Sequence, residues 1–328
     1  MIKVYNDFNV CDQEVKSREE KLGLLTQPNI IFYNKYTDVN TDTKRAVNMK
    51  KEEILLSIQD LPPFPETVLK AIEAMKDPEI AAKKIVSIIQ YDQNITAKIL
   101  RFANSAYFGL KKKVTSLKHA VAYLGSKTIL DMLMLSGALD QYRTEFTGYG
   151  QRGKEMLKHS FSTALMCRIL GEKIGLQESF TVFSAGLLHD IGKVVLNSFV
   201  EHRYEEILDL VNNQNHTLLS AEQELLGMDH AQVGGEILKR WGLPETITGP
   251  VTLHHHVEKS DAADVNTPLV YLADQAYILV SGTTGTDAWC LAKMKQAMTR
   301  CRISVADLDE SLRLMRRSSQ KVQQLLEI

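Results

Sequence analysis

The 328-residue sequence lacks most of the features that settle a function quickly. It has only four cysteines, Cys11, Cys167, Cys290 and Cys301, far apart and without a C-x-x-C pair. That spacing excludes a zinc knuckle and a disulfide framework and fits a reducing, cytoplasmic setting. Excess charge is missing too: 39 Lys and Arg against 40 Asp and Glu leave a formal net charge of -1, so no global field draws the chain to nucleic acid or anionic lipid. No run approaches eighteen uninterrupted apolar residues, and Met1 to Asp12 carries Lys3 and Asp7 with no apolar h-region. Membrane spanning and secretion therefore find no support. Also absent are G-x-G-x-x-G, a P-loop, G-x-S-x-G and any repeat of fixed period, which removes the common nucleotide-dependent and serine-hydrolase routes.

What remains is an ordinary globular composition, 44% hydrophobic and 24% charged, and enough length for two packed units plus tails. Residues 1–50 are mixed and weakly periodic, with one β-like burst at Ile30-Ile31-Phe32-Tyr33, and read as a loosely ordered extension or a partner-binding arm. From Lys51 the apolar pattern is helical. Leu61-Pro62-Pro63-Phe64-Pro65 is a stiff extended turn between helices. Asp77 before Pro78, Asp92, Ser116, Ser126 and Asp229 read as helix starts, and Gly125, Gly175 and Gly242 as stops. The glycine-rich stretch Gln141 to Gly153 divides a first helical subdomain, residues 51–142, from a second, residues 151–284. Two further helices, from about Asp287 and Val305, occupy residues 285–328. No strand ladder is evident, and the expected fold is all-α, a multi-helix bundle with an additional N-terminal helical subdomain.

One stretch stands out, Ala185-Gly186-Leu187-Leu188-His189-Asp190-Ile191-Gly192-Lys193. It places an imidazole and a carboxylate at the end of an apolar helical run, with Gly192 where the helix is expected to stop. A buried aspartate is costly unless paired, hydrogen-bonded or coordinated. His159, His230, the triplet His254-His255-His256 and Asp274 each fall on or beside a predicted helix, and bundles build metal sites from such inward-facing side chains. Each residue alone also has a structural explanation: an ion pair, an N-cap neighbour or a solvated helix end. Imidazole with carboxylate favours Fe, Mn, Co or Zn over Ca.

Several motifs in order carry a family resemblance. Leu61-Pro62-Pro63-Phe64-Pro65, Asp92 to Ser105 and Ala120 to Gly125 in the first half, with His189-Asp190-Ile191-Gly192, Asp229 to Gly234, Trp241-Gly242-Leu243-Pro244 and His254-His255 in the second, resemble the HDOD domain. This is the HD-related output domain of bacterial signalling proteins. The resemblance spans roughly Ile54 to Leu279. It implies an all-α domain distantly related to HD-type metal-dependent phosphohydrolases and used as a signalling output. Carried over by position, it implies a ligand set of His159, His189, Asp190 and Asp274, with His230, His254 and His255 where the cyclic-di-GMP phosphodiesterase branch has extra ligands. Lys193 falls where relatives keep a lysine near the phosphate, although a helix-end lysine is equally explained by the dipole. After His256 the chain reads Val257-Glu258-Lys259-Ser260, so the Gly-Tyr-Pro signature of that branch is missing and cyclic-di-GMP hydrolysis is not expected.

The reading the sequence favours is a regulatory module with little or no catalysis, acting on signalling proteins in trans. Its input would come from a partner or from the first fifty residues, and it admits a nucleotide ligand and a homodimer. The rival is a metal-dependent phosphohydrolase. Nucleic-acid binding through Lys111-Lys112-Lys113 ranks low, because the run has no interleaved aromatics.

Overall fold

The computed structural model describes residues 41–74, 81–143, 145–176, 179–214, 216–281 and 291–326. Among them are fifteen α-helices and no strand beyond a single bridge between Phe146 and Gln151, as the apolar periodicity led us to expect. The helices are α1 (Thr41–Asp60), α2 (Glu66–Ala74), α3 (Ala81–Ile89), α4 (Gln93–Ala103), α5 (Leu117–Leu139), α6 (Gly153–Lys173), α7 (Ser179–Leu188), α8 (Gly192–Glu201), α9 (Tyr204–Asn213), α10 (Leu218–Leu226), α11 (His230–Arg240), α12 (Glu245–Leu253), α13 (Asn266–Ser281), α14 (Leu291–Cys301) and α15 (Val305–Leu326). All contacts discussed below lie within the unit formed by residues 45–328. The Ile30 to Tyr33 burst, the Asp77-Pro78 cap and the expected helix start near Asp287 lie outside the described residues.

Helix starts follow local chemistry. The Asp92 carboxylate accepts the Ile95 N–H at 3.0 Å, and its other oxygen accepts Thr67 Oγ1 at 2.9 Å, so one cap also ties α2 to α4. Ser116 caps α5 through the His119 N–H at 3.2 Å, and Asp229 caps α11 through Gln232 N–H at 2.8 Å. Gly125 breaks α5 with φ 79° and ψ 159°, a conformation that glycine adopts without steric cost. Helix α1 begins ten residues before Lys51, inside the stretch read from sequence as an extension.

The core is assembled around α7. Eight of its ten residues, Phe180 and Val182 to Leu188, are buried, and α6, α12 and α13 pack on it. The stretch Ser179–Glu201 is apolar and long enough to cross a membrane, yet most of its apolar part is buried inside the protein, and a tight turn at His189 to Ile191 divides it into α7 and α8.

That turn corrects one reading of the sequence. Gly192 does not stop a helix; it opens α8, an element the sequence pattern did not resolve. A Cβ at Gly192 would lie 1.9 Å from the His230 carbonyl oxygen and 2.7 Å from Gly234 N. The glycine is there because α8 and α11 touch backbone to backbone, a tertiary demand invisible to helix-stop rules.

Candidate metal centre

Three chain reversals deliver the polar residues of the core. The α7–α8 turn carries His189 and Asp190, the first turn of α11 carries His230, and the end of α12 carries His254 and His255. His159 projects from the second turn of α6 and Asp274 from the middle of α13. All seven converge. His159 is partly buried and the other six are buried.

Asp190 sits at the middle and divides the cluster. Its Oδ2 lies 3.3 Å from His159 Nε2 and 3.4 Å from His189 Nε2. Asp274 Oδ1 completes this group at 3.2 Å from His159 Nε2 and 3.6 Å from His189 Nε2. Asp190 Oδ1 faces the other way, 3.4 Å from His230 Nε2, which in turn lies 3.0 Å from His255 Nε2. The His254 ring stands between the groups, with centroids 5.1 Å from His189 and 5.5 Å from His230.

The imidazoles are fixed by their outward nitrogens. His189 Nδ1 meets the Gly186 carbonyl at 2.8 Å, His254 Nδ1 the Val251 carbonyl at 2.7 Å, and His230 Nδ1 the Glu222 carboxylate at 2.7 Å. A carbonyl or carboxylate accepts a hydrogen bond from Nδ1–H, so in the neutral ring Nε2 carries the inward lone pair. Glu222 is fully buried, accepts the His230 backbone N–H at 2.8 Å, and is held at its other oxygen by the Tyr149 hydroxyl at 2.8 Å. This carboxylate behind a histidine was not singled out from the sequence. The available signal was its place on an apolar stripe with Leu218, Ala221 and Leu226.

The electrostatics of the cluster are set by burial working against close opposite charges. Burial disfavours charge on Asp190, but Lys193 and the surrounding imidazoles outweigh it and hold its carboxyl well below the usual range; Asp274 is held down likewise by His159 and His189. Burial opposes protonation of His159 and His230 too, yet hydrogen bonds to Asp190 and Asp274 raise His159 to about 9, and Glu222 raises His230 to about 9. Burial and the neighbouring imidazoles push His254 down to about 3 and His255 well below its ordinary value. Neutral imidazole is the metal-binding form.

Do these residues fit an ion? Two cis ligands at about 2.1 Å from a metal stand roughly 3.0–3.4 Å apart, and the donor separations above run from 3.0 to 3.6 Å. His254 Nε2 is buried and finds no hydrogen-bond partner among the described residues, an orphan that a coordinate bond would satisfy. The donors are nitrogen and oxygen only, as intermediate-hardness divalent ions prefer. The residues fit, as two donor groups sharing Asp190.

Lys193 Nζ reaches Asp190 Oδ2 at 2.9 Å and lies 5.7 Å from the Tyr149 ring centroid. It lines a cavity of about 650 Å³ that also reaches His159, Asp190, His255 and Asp274, so the cluster is open to a small molecule on one side. His256, the third member of the triplet, points elsewhere, 3.8 Å from Asp229 and 3.3 Å from Glu258.

Residues 61–257, more than half of the chain, match the HDOD domain family. The chain belongs to the HDOD domain family. Among curated relatives of this HDOD protein, an uncharacterized protein of Treponema pallidum is 23% identical over 200 residues, 61% of this chain and 38% of that protein. Ribonuclease Y of Desulfotalea psychrophila is 28% identical over 126 residues, 38% of this chain and 18% of the enzyme. The HDOD chain thus spans less than two fifths of either relative. Among solved structures, an HDOD domain protein with unknown function from Geobacter sulfurreducens superposes with a TM-score of 0.68 at 24% identity, covering 86% of this chain and 99% of that one. A candidate phosphohydrolase from Shewanella amazonensis SB2B gives 0.66 at 19% identity, covering 83% and 97%. Identities this low establish a shared all-helical fold.

Proposed function

We propose that this HDOD protein is a metal-dependent phosphoester hydrolase, with His159, His189, Asp190 and Asp274 holding one divalent ion and Asp190, His230, His254 and His255 a second. One observation carries the reading: the two oxygens of Asp190 face separate imidazole groups at 3.3–3.4 Å, beside a cavity large enough for a small phosphoester. The names ribonuclease Y and phosphohydrolase among the proteins compared above agree with it. When bound, such ions polarise a phosphoryl oxygen and acidify water. The protein's own part is to fix the donors, through Gly186, Val251 and Glu222 behind them, and to offer Lys193 as a cation beside the cavity. Fe, Mn, Co or Zn suits the donor set.

The test is elemental analysis of the protein purified without chelator, followed by turnover of bis(p-nitrophenyl) phosphate after loading with Mn²⁺. Bound transition metal and turnover, both lost in Asp190→Asn, are expected. A well-folded protein that takes up no ion from the four metals overturns the reading.

A second reading is an output module acting on signalling proteins in trans, alone or as a homodimer. It is favoured by Lys193 and the raised His159 and His230, which already balance Asp190, Asp274 and Glu222 without an ion. Under it, Asp190→Asn costs stability while there is no turnover to lose.

A further inference from the structure

The first turns of α6 face two hollows. Glu155, Lys158 and His159 line the cavity of the metal centre, whereas Arg152, Gly153, Lys154 and Leu157 line another of about 530 Å³. Five basic side chains border this second cavity, Lys98, Arg101, Arg143, Arg152 and Lys154, against the single carboxylate of Glu145. Lys98 is only 5% exposed. Its Nζ rests on the Ser136 carbonyl at 3.2 Å and on Asp140 Oδ2 at 2.9 Å, and the same carboxylate also meets Arg143 at 3.2 Å. One acid is therefore divided between two cations, and the field in the hollow stays positive. The 21-residue helix α6 adds the positive end of its dipole, and Gly153 and Lys154 contribute leading N–H groups that no helical turn satisfies. Tyr142 and Leu157 form part of an apolar wall.

We propose that this cavity binds a small phosphorylated anion of the di- or triphosphate class. Guanidinium forks match phosphate oxygens, and a volume of about 530 Å³ is that of a small-molecule pocket rather than of a track for a polymer. The site is separate from the metal centre and stands whether or not the hydrolase reading does.

Calorimetric titration of inorganic pyrophosphate into the metal-free 328-residue chain at low salt tests it. One binding event is expected, weakening with added salt, about tenfold weaker in each of Arg152→Gln and Lys154→Gln and retained in His189→Ala. Both substituted cations are exposed, so the fold should survive their loss. No heat with the wild type overturns the proposal, as does binding that persists in the Arg152→Gln/Lys154→Gln double variant. So does binding of a single-stranded oligonucleotide with none of pyrophosphate. Should His189→Ala fail to fold, the double variant decides alone.

Discussion

Two regions of the molecule carry the family motifs, and they are built from opposite materials. At the candidate metal centre the motif residues meet each other side chain to side chain, polar and largely buried, and the nearest backbone serves only to orient them. Where Leu61 to Pro65 meets Arg240 and Trp241, the motif residues grip backbone. Arg240 donates to the Leu61 carbonyl at 2.8 Å and to the Gln59 carbonyl, Trp241 Nε1 donates to the Pro62 carbonyl at 3.1 Å, and the Phe64 and Trp241 rings stack with centroids 5.0 Å apart. Prolines at 62, 63 and 65 leave that segment poor in N–H donors, so its carbonyls are answered from outside. The first region gathers buried donors that could hold an ion; the second is a clasp that closes the first helices onto α11. Motifs of equal prominence in a sequence can thus encode chemistry in one place and architecture in another.

Substitutions in the two regions should separate these roles. The largest effect is expected from Asp190→Asn, which removes the charge both donor groups share: metal content should fall to background and any turnover by about a thousandfold or more. Retention of stoichiometric metal would erase the distinction between the regions. Next, Trp241→Ala should cost about 3–5 kcal/mol in urea unfolding while the surviving folded protein keeps its metal; parallel loss of both would make the clasp part of the centre. Glu222→Gln removes the charge behind His230 and should weaken metal binding about 10–100-fold, read by competition with a chelating dye, with little change in the cavity.

Acidity offers a subtler contrast. His159 and His230 are raised to about 9, above an ordinary value of about 6.5. The stability that their protonation contributes to the metal-free protein is fully present below pH of about 6.5 and is lost as pH climbs through about 9. A metal must displace the same protons, so its affinity should rise over that interval. Melting temperatures of chelated and metal-loaded protein should therefore move in opposite directions between about pH 7 and 9, and parallel curves would contradict the assignment. The smallest change is expected of Arg240→Ala, about 1 kcal/mol in urea unfolding for each hydrogen bond its guanidinium makes to a carbonyl, with no metal effect at all.

Much of this was legible in the sequence wherever the cause is local. Asp92, Ser116 and Asp229 cap the helices they were expected to cap because a cap is settled within four residues. The seven donors could be named one by one as polar residues on or beside predicted helices, and as a ligand set through kinship with HD enzymes, but nothing in spacing brings His159 next to Asp274; their convergence is a product of α6 and α13 packing together. Gly192 was misassigned because the backbone it touches, at His230 and Gly234, is remote in sequence, and α8 was hidden with it. Glu222 looked like one more helix acid until burial beside His230 gave it a role. Long-range demands leave faint marks on a sequence, and the centre is made of little else.

One further feature lies past residue 257, where the family match ends. Lys293 of α14 donates to the His255 carbonyl at 3.0 Å, and Arg300 ties down the carbonyls of Val257 at 2.6 Å, Asp264 at 2.9 Å and Asp261. Asp274, on α13, also lies beyond that limit. The portable unit is consequently larger than the shared motif. A chimera grafted at residue 257 would inherit five histidines and one aspartate without the second carboxylate or the strap that keeps the 255–264 loop in register, so whatever this centre does has to be inherited through residue 301.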